Sequence, residues 1–346
     1  MVLVLAIAAA LWLGGRWMGI PRAARLSMLG LLFVAVMGIQ VAFPQNSPLR
    51  QATGGSAELW LLFAGFAAII WAYRRVIRRL RARATSVTAH PPPRQGSFTD
   101  TELDRYARHI VLREIGGGGQ KALKNAKVLV IGAGGLGAPA LQYLAAAGVG
   151  TIGVVDDDVV ENANLQRQVI HPDANIGMPK VFSAQAQMEA QNPFITVRPY
   201  HRRLTEDIAE ALIAEYDLVL DGTDNFETRY LVNAACVAAR VPLVSGALSQ
   251  WEGQLSVFDT ARNAPCYRCI FPQAPAAHLA PSCAEAGVIG PLPGVIGAMM
   301  AVEAVKIITG AGTPMRGQML LYDALYGESR TIQIARRADC ATCGGI

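Results

Sequence analysis

Negative charge is almost missing from the first ninety positions: up to His90 there are ten arginines, no lysine and one acidic residue, Glu58. That stretch carries +9, so the formal +5 of the whole chain leaves −4 for the remainder. The basicity belongs to the N-terminal end, and the mildly acidic rest lacks the electrostatic footprint of a nucleic-acid binder. Cysteine is scarce as well, six in 346 residues. In a chain expected to lie mostly in the cytoplasm, six cysteines argue against a disulfide framework. No internal repeat is found after position 97.

What is abundant is apolar sequence. Hydrophobic residues make up 52% of the chain and the mean hydropathy is +0.29, with the excess concentrated in the first eighty or so positions. That distribution signals a membrane region and not a large core. Three apolar stretches occupy 2–13 (extendable through Gly15), 26–43 and 57–73, and the second has no charge over about a bilayer's thickness. Trp12, Trp17, Trp60, Trp71 and Tyr73 stand near their ends, where amphipathic rings favour the headgroup zone. Arg16, Arg22 and Arg25 follow the first stretch and six arginines from Arg74 to Arg83 follow the third, whereas the loop after the second has only Arg50 and Glu58. The positive-inside rule then predicts three spans, N-terminus outside, and everything after Tyr73 in the cytoplasm: a multi-pass protein of the inner (cytoplasmic) membrane. A signal-peptide core is the alternative for the first stretch, but its flank starts without positive charge and no small-residue cleavage site follows. The expected organisation is an anchor over 1–80, a linker over 81–97 containing Pro91, Pro92 and Pro93, and a catalytic domain over 98–346.

Within the domain, 127–131 reads as a short buried strand. After it come Gly132-Ala-Gly134-Gly135-Leu-Gly137, an Ala/Leu-rich helix through Ala147, and a second strand at 151–155 ending on Asp156. This is the order of a Rossmann-like site, in which glycines let a phosphate approach a helix N-terminus and a carboxylate holds a ribose hydroxyl. Alone, it suits an NAD or FAD enzyme, although no hydride-transfer site is recognisable. Further on stand Asp156-Asp157-Asp158, Asn164-Leu-Gln-Arg167-Gln, Gly177-Met-Pro-Lys180 and, at the end of a Val/Leu strand, Asp221-Gly-Thr-Asp224-Asn225. Arg167 or Lys180 by itself would read as a solvated surface charge. Two cations and a strand-end carboxylate together fit a triphosphate with Mg2+, since Arg and Lys spread the charge and Asp holds the metal.

Cys266-Tyr-Arg-Cys269 and Cys340-Ala-Thr-Cys343 are two C-x-x-C pairs about seventy residues apart. Their spacing is that of a tetrathiolate zinc site clamping the end of the chain to a distant loop, with a redox pair as the competing reading. A closed four-thiolate shell stabilises and does not catalyse. Cys236 lies in an Ala/Val-rich helix, as a core residue would, and Cys283 in a loop-like stretch after the first pair. Strands are expected at 242–247, 253–258, 319–322 and 331–335, a buried helix at 295–308, and a loop at the glycine run 116–119. The fold class is α/β, a doubly wound, Rossmann-like mixed sheet with helices on both faces, preceded by the helical membrane region.

Arg105-Tyr-Ala-Arg108-His-Ile, the glycine turn, Asn-Leu-Gln-Arg-Gln, Thr-Asp-Asn, Cys-Tyr-Arg-Cys and the terminal Cys-Ala-Thr-Cys occur in that order from about Phe98 to the end. Together they resemble the HesA/MoeB/ThiF family of ubiquitin-activating-type adenylyltransferases, most closely the molybdopterin-synthase adenylyltransferases. The resemblance implies ATP-dependent adenylation of the C-terminal Gly-Gly carboxylate of a small ubiquitin-like sulfur carrier. It assigns nucleotide binding to Gly132, Gly134, Gly135, Gly137, Asp156 (the ribose) and Asp158, phosphate binding to Asn164, Arg167 and Lys180, and Mg2+ to Asp224. Arg108 matches an arginine that reaches the ATP of a neighbouring subunit, implying a homodimer. Cys283 matches a cysteine on a mobile crossover loop, a covalent nucleophile in some branches of the family. Only three residues follow Cys343, so sulfur is expected from another protein, and an ending of Gly-Gly-Ile makes self-activation unexpected. Carriers of thiamine synthesis, tRNA thiolation or cysteine biosynthesis are alternatives that the motifs do not separate, and a membrane-tethered nucleotide sensor is the alternative of another class.

Overall fold

A computed structural model of the chain describes residues 2–87, 98–275 and 286–345. It divides into two compact units, Met1–Pro92 and Pro93–Ile346, and the division falls in the proline run.

The first unit is helical: Val2–Trp17, Arg22–Ala42, Pro48–Ala52 and Ala57–Val87. Its small core joins Val4, Val36 and Trp60, with Phe33 edge-on to the Trp60 ring at 6.4 Å between centroids. One polar knot closes it: Gln40 Nε2 donates to Thr53 Oγ1 at 2.8 Å and Trp60 Nε1 donates to Thr53 O at 2.9 Å. Most other large apolar side chains, such as Leu31, Val41, Ile69 and Trp71, lie on the outside. Ala24–Ala42 is long and apolar enough to cross a membrane, and Leu3–Trp17 is a shorter apolar helix. The expected third stretch is the first part of Ala57–Val87, which continues to Val87, well inside the segment read as linker. Arg and Ala are strong helix formers, so nothing in 78–84 stops the helix; residues 88–97 lie outside the described residues.

The second unit is built on one eight-stranded sheet. Its strands are β1 (Lys127–Ile131), β2 (Thr151–Val155), β3 (Thr196–Tyr200), β4 (Leu218–Asp221), β5 (Leu243–Leu248), β6 (Glu252–Phe258), β7 (Gln318–Asp323) and β8 (Glu328–Gln333). Their spatial order is β3-β2-β1-β4-β5-β6-β7-β8, parallel from β3 to β5 and antiparallel from β5 to β8. Strand alternation sends Val128, Val130, Ile152, Val154, Leu218 and Leu220 to one face. There they meet the helices Gly137–Ala147, Lys180–Gln191 and Pro291–Thr309. Leu129, Ile131, Val155 and Val219 go to the other face, against Glu206–Ile213 and Phe226–Ala239. The doubly wound mixed sheet is therefore as expected. Pro291–Thr309 is also long and apolar enough to cross a membrane, but it packs as a core helix against the sheet.

Two expectations change. The glycine run opens the helix Gly116–Asn125 instead of forming a loop. Gly119 is buried there, and a Cβ on it would lie 2.9 Å from Ile115 Cγ2 and 3.3 Å from Thr309 Cβ, so close packing and not mobility explains the small residue. The closing strand lies at Glu328–Gln333, shifted from 331–335. All six of its residues are exposed, so it has no buried face whose alternation could mark its register.

The segment before β1 is fastened by a capping box in which Thr99 and Glu102 satisfy each other's backbone N–H groups. Glu102 is buried and pairs with Lys124 at 2.6 Å, while the Tyr106 hydroxyl accepts from Asn192 Nδ2 at 2.8 Å. These contacts fix the short helix Ala107–Ile110 that carries Arg108.

Candidate functional site

The chain order reverses between β1 and β4: β2 and β3 lie on one side of β1, β4 and β5 on the other. In an open α/β sheet, that reversal leaves a crevice beyond the carboxyl ends of the strands. Here a cavity of about 1100 Å³ opens at that point. Gly132, Gly134, Gly135, Asp156, Asp158, Asn164, Arg167, Lys180 and Asp224 all line it.

The glycine turn is shaped by contact. Gly132 has φ +93°, a left-handed conformation that favours glycine. Gly137, the first residue of the following helix, packs so closely that a Cβ on it would lie 1.9 Å from Gly132 O. It does not line the cavity; it lets the turn close, so that the helix starts directly behind Gly134, Gly135 and Leu136, which line the opening. The backbone of Ala133 is held at both its N–H and its carbonyl. Its N–H donates to Asp156 Oδ2 at 2.7 Å and its carbonyl lies 2.9 Å from His171 Nε2. His171 Nδ1 lies 2.9 Å from Ser183 Oγ. A carbonyl only accepts, so Nε2 carries the proton; in the neutral ring, which burial favours, Nδ1 then accepts from the serine hydroxyl. Burial also lowers the His171 pKa, and the nearby Lys180 adds to this against the Ala133 hydrogen bond.

Asp156 directly follows β2, and its Oδ1 accepts the Asp158 N–H at 2.8 Å. Burial raises its pKa, opposed by Lys180 and by the N–H groups of Ala133 and Asp158. Lys180 is buried at the start of its helix and pairs with the exposed Asp158 at 2.8 Å. The two residues expected to meet the nucleotide separately thus meet each other. Asn164 is buried in the turn Asn162–Asn164, and Arg167 is half-buried, with its guanidinium donating to Ala163 O at 3.0 Å.

Asp224 is exposed in the loop after β4. Behind it, Asp221 Oδ1 accepts from Thr223 N at 3.0 Å and Thr223 Oγ1 at 2.7 Å, and Asn225 caps the helix Phe226–Ala239 through Thr228 N. Arg229, which the sequence did not single out, is buried and lines the cavity. It donates to Thr223 O, to Gly246 O at 2.8 Å and to Ser245 Oγ at 3.3 Å, so it locks the Asp224 loop to β5. His171 and Gln168 were likewise missed as functional, although Gln168 adjoins Arg167 in the motif. No periodicity in a single sequence marks a buried polar side chain. Arg108 is exposed and does not line the cavity, and Cys283 lies outside the described residues.

The four paired cysteines converge, all buried. Cys266 Sγ lies 3.9 Å from Cys269 Sγ and 3.6 Å from Cys340 Sγ, and Cys269 Sγ lies 3.4 Å from Cys343 Sγ. Four sulfurs about 2.3 Å from a tetrahedral ion would stand about 3.8 Å apart, close to these distances, so the cluster fits a metal. The Arg337 N–H points to Cys269 Sγ at 3.5 Å. Burial pushes the Cys266 thiol up and works against ionisation at Cys340 too, but the N–H groups of Cys343 and Thr342 and the neighbouring sulfurs bring Cys340 down to about 7.

Residues 106–342 match the ThiF family model. The chain is 49% identical over 251 residues to a sulfur carrier protein adenylyltransferase of Thermus thermophilus, covering 71% of this chain and 93% of that one. It is 48% identical over 262 residues to the adenylyltransferase and sulfurtransferase MOCS3 of Bos taurus, covering 75% of this chain and 57% of the relative. Among solved structures, E. coli MccB with ATP shares the fold, with a TM-score of 0.61 at 23% identity over 69% of this chain and 74% of that one.

Proposed function

The chain belongs to the ThiF family and is an adenylyltransferase, and we propose that it uses ATP to activate the C-terminal Gly-Gly carboxylate of a small ubiquitin-like sulfur-carrier protein. The observation that carries this reading is that the glycine turn, Asn164, Arg167, Lys180 and Asp224, spread over ninety residues, line a single cavity. The helix N-terminus and the two cations receive the triphosphate, which competes with Asp158 for Lys180. Asp156 takes the ribose. Asp224 would hold Mg2+, which would supply charge neutralisation for the leaving pyrophosphate. One carboxylate oxygen of the carrier attacks the α-phosphorus. The bond to the β-phosphate breaks, pyrophosphate leaves with the electron pair, and an acyl-adenylate remains. An ionised carboxylate needs no general base, so positioning and charge neutralisation carry the catalysis.

The carrier we favour is the small subunit of molybdopterin synthase, on the motif resemblance; carriers for thiamine, tRNA thiolation or cysteine synthesis present the same tail. Arg108, exposed and outside its own cleft, is assigned to a partner's site in a homodimer, on the motif resemblance. The four-cysteine cluster is assigned to structural Zn2+. The N-terminal helices are assigned to the inner membrane, with the catalytic unit in the cytoplasm, in support of which stand their outward apolar side chains and the arginines after Tyr73. A protease-protection assay that finds the C-terminus outside overturns that topology.

The test is ATP–pyrophosphate exchange by the full chain in detergent, with a panel of Gly-Gly-ending carriers. Exchange is expected with one carrier, which names the pathway, and Asp224→Ala is expected to abolish it. ATP binding without exchange on any carrier overturns the adenylation of this class of acceptor, and full exchange by Asp224→Ala overturns the metal assignment.

A further inference from the structure

Gln168 sits at the cavity with only 3% of its surface exposed, between Asn164 and the glycine turn. Its Nε2 donates to Asn164 Oδ1 at 2.7 Å and lies 3.6 Å from where a Cβ on Gly134 would be. On the far side of Asn164, Nδ2 donates to Glu161 Oε2 at 3.3 Å. An ionised carboxylate accepts only, so Glu161 fixes which end of the Asn164 amide is nitrogen, and that in turn fixes which end of the Gln168 amide must donate. The three side chains form a one-way relay, carboxylate to amide to amide.

The relay has a chemical consequence. The Asn164 carbonyl accepts from Gln168 and can only accept, so the group of Asn164 suited to an anionic oxygen is its second Nδ2–H. Turned over, the same amide would offer an oxygen to a phosphate and repel it. We propose that Gln168 is a positioning residue that holds Asn164 donor-outward and thereby adapts this wall of the cavity to the phosphates of the nucleotide. The inference rests on the ATP-binding part of the function proposed above and not on the identity of the carrier. Gln168 touches no substrate in this account and acts only through Asn164.

The test is a double-mutant cycle on the full chain, without carrier, reading the dissociation constants for ATP and for adenosine by titration calorimetry. Gln168→Leu is expected to weaken ATP about tenfold, the loss of one charge-assisted hydrogen bond. Adenosine, which has no phosphate, is expected to bind as to the wild type. Asn164→Ala is expected to weaken ATP as much, and the double variant no further. Losses that multiply to about a hundredfold in the double variant, or a loss for adenosine equal to that for ATP, overturn the positioning role and point to general damage of the glycine turn. If Gln168→Leu does not fold, Gln168→Asn, which keeps the amide one methylene short, enters the same cycle. Coupling without carrier-dependent exchange overturns the proposed reaction and keeps the relay; exchange without coupling does the reverse. A wild-type chain that binds no ATP overturns both.

Discussion

Arg229 holds the last residue of β4 in place: its Nη1 lies 3.8 Å from Asp221 Oδ2, and both side chains are almost wholly buried. That oxygen has no hydrogen bond among the described residues, so its charge is balanced by the guanidinium alone. The same guanidinium holds Thr223 O and Gly246 O, which joins the Asp224 loop to the neighbouring strand. Arg229→Met strands a buried carboxylate and is expected to cost about 3–5 kcal/mol of stability. Chemical unfolding of the two proteins measures it, and a loss below about 1 kcal/mol would show that Asp221 is not held by this pair.

Lys180 is the one buried cation among the residues expected at the phosphates. Lys180→Ala is expected to lower the exchange rate at saturating ATP by about 100-fold or more, the scale of losing a preorganised charge at a reacting centre. Asp158→Asn, which removes only its exposed partner, is expected to have a much smaller effect. Steady-state exchange kinetics on both variants decide the order.

The glycines of the turn are not equivalent. Gly137→Ala puts a methyl 1.9 Å from Gly132 O and is expected to destabilise the chain by about 3 kcal/mol or more, with loss of ATP binding. Gly134→Ala meets nothing nearer than Gln168 Nε2 at 3.6 Å and is expected to cost under about 1 kcal/mol. Thermal midpoints of the two variants should separate clearly; equal midpoints would contradict the packing described.

The four-cysteine cluster joins the C-terminal segment to the helix Tyr267–Ile270 and, through it, to the sheet. One equivalent of zinc per chain is expected by elemental analysis. Cys340→Ser is expected to lower both the zinc content and the thermal midpoint, while the nucleotide site, which shares no ligand with the cluster, keeps its ATP affinity at low temperature. Less than half an equivalent in the wild type argues against a structural zinc.

His171 ties stability to pH. Burial lowers its folded-state pKa below the unfolded value of about 6.5. Above about pH 6.5 both states are neutral and its contribution is complete. As the pH falls below that, the unfolded chain takes up the proton first, and stability declines until the lower folded-state pKa is reached. Urea unfolding between pH 7 and 5 should show a shallower decline for His171→Gln than for the wild type; identical slopes would show that His171 is not the group responsible.

Much of the second unit could be read from the sequence. β1, β2 and the helix Gly137–Ala147 begin and end where the apolar runs and glycines place them. Strands buried on both faces are short and continuous in hydrophobicity, and a glycine turn between strand and helix has a distinctive composition. β8 was misplaced because an exposed edge strand has no such contrast, and the Gly116–Gly119 run was read as a loop because glycine lowers helix propensity. There, contact with Ile115 and Thr309 outweighs propensity, and Thr309 is nearly two hundred positions away.

By itself the sequence determined the alternation of strands and helices, the glycine turn, the order of the motifs and the two cysteine pairs, because each is set by residues a few positions apart. Only the tertiary structure decided that Lys180 pairs with Asp158, that Arg229 balances Asp221, that His171 and Asp156 hold the backbone of Ala133, and that Glu161, Asn164 and Gln168 form one hydrogen-bonded chain. These are contacts between polar groups removed from water, whose energies depend on finding a partner in the fold, and no local pattern records which partner that is.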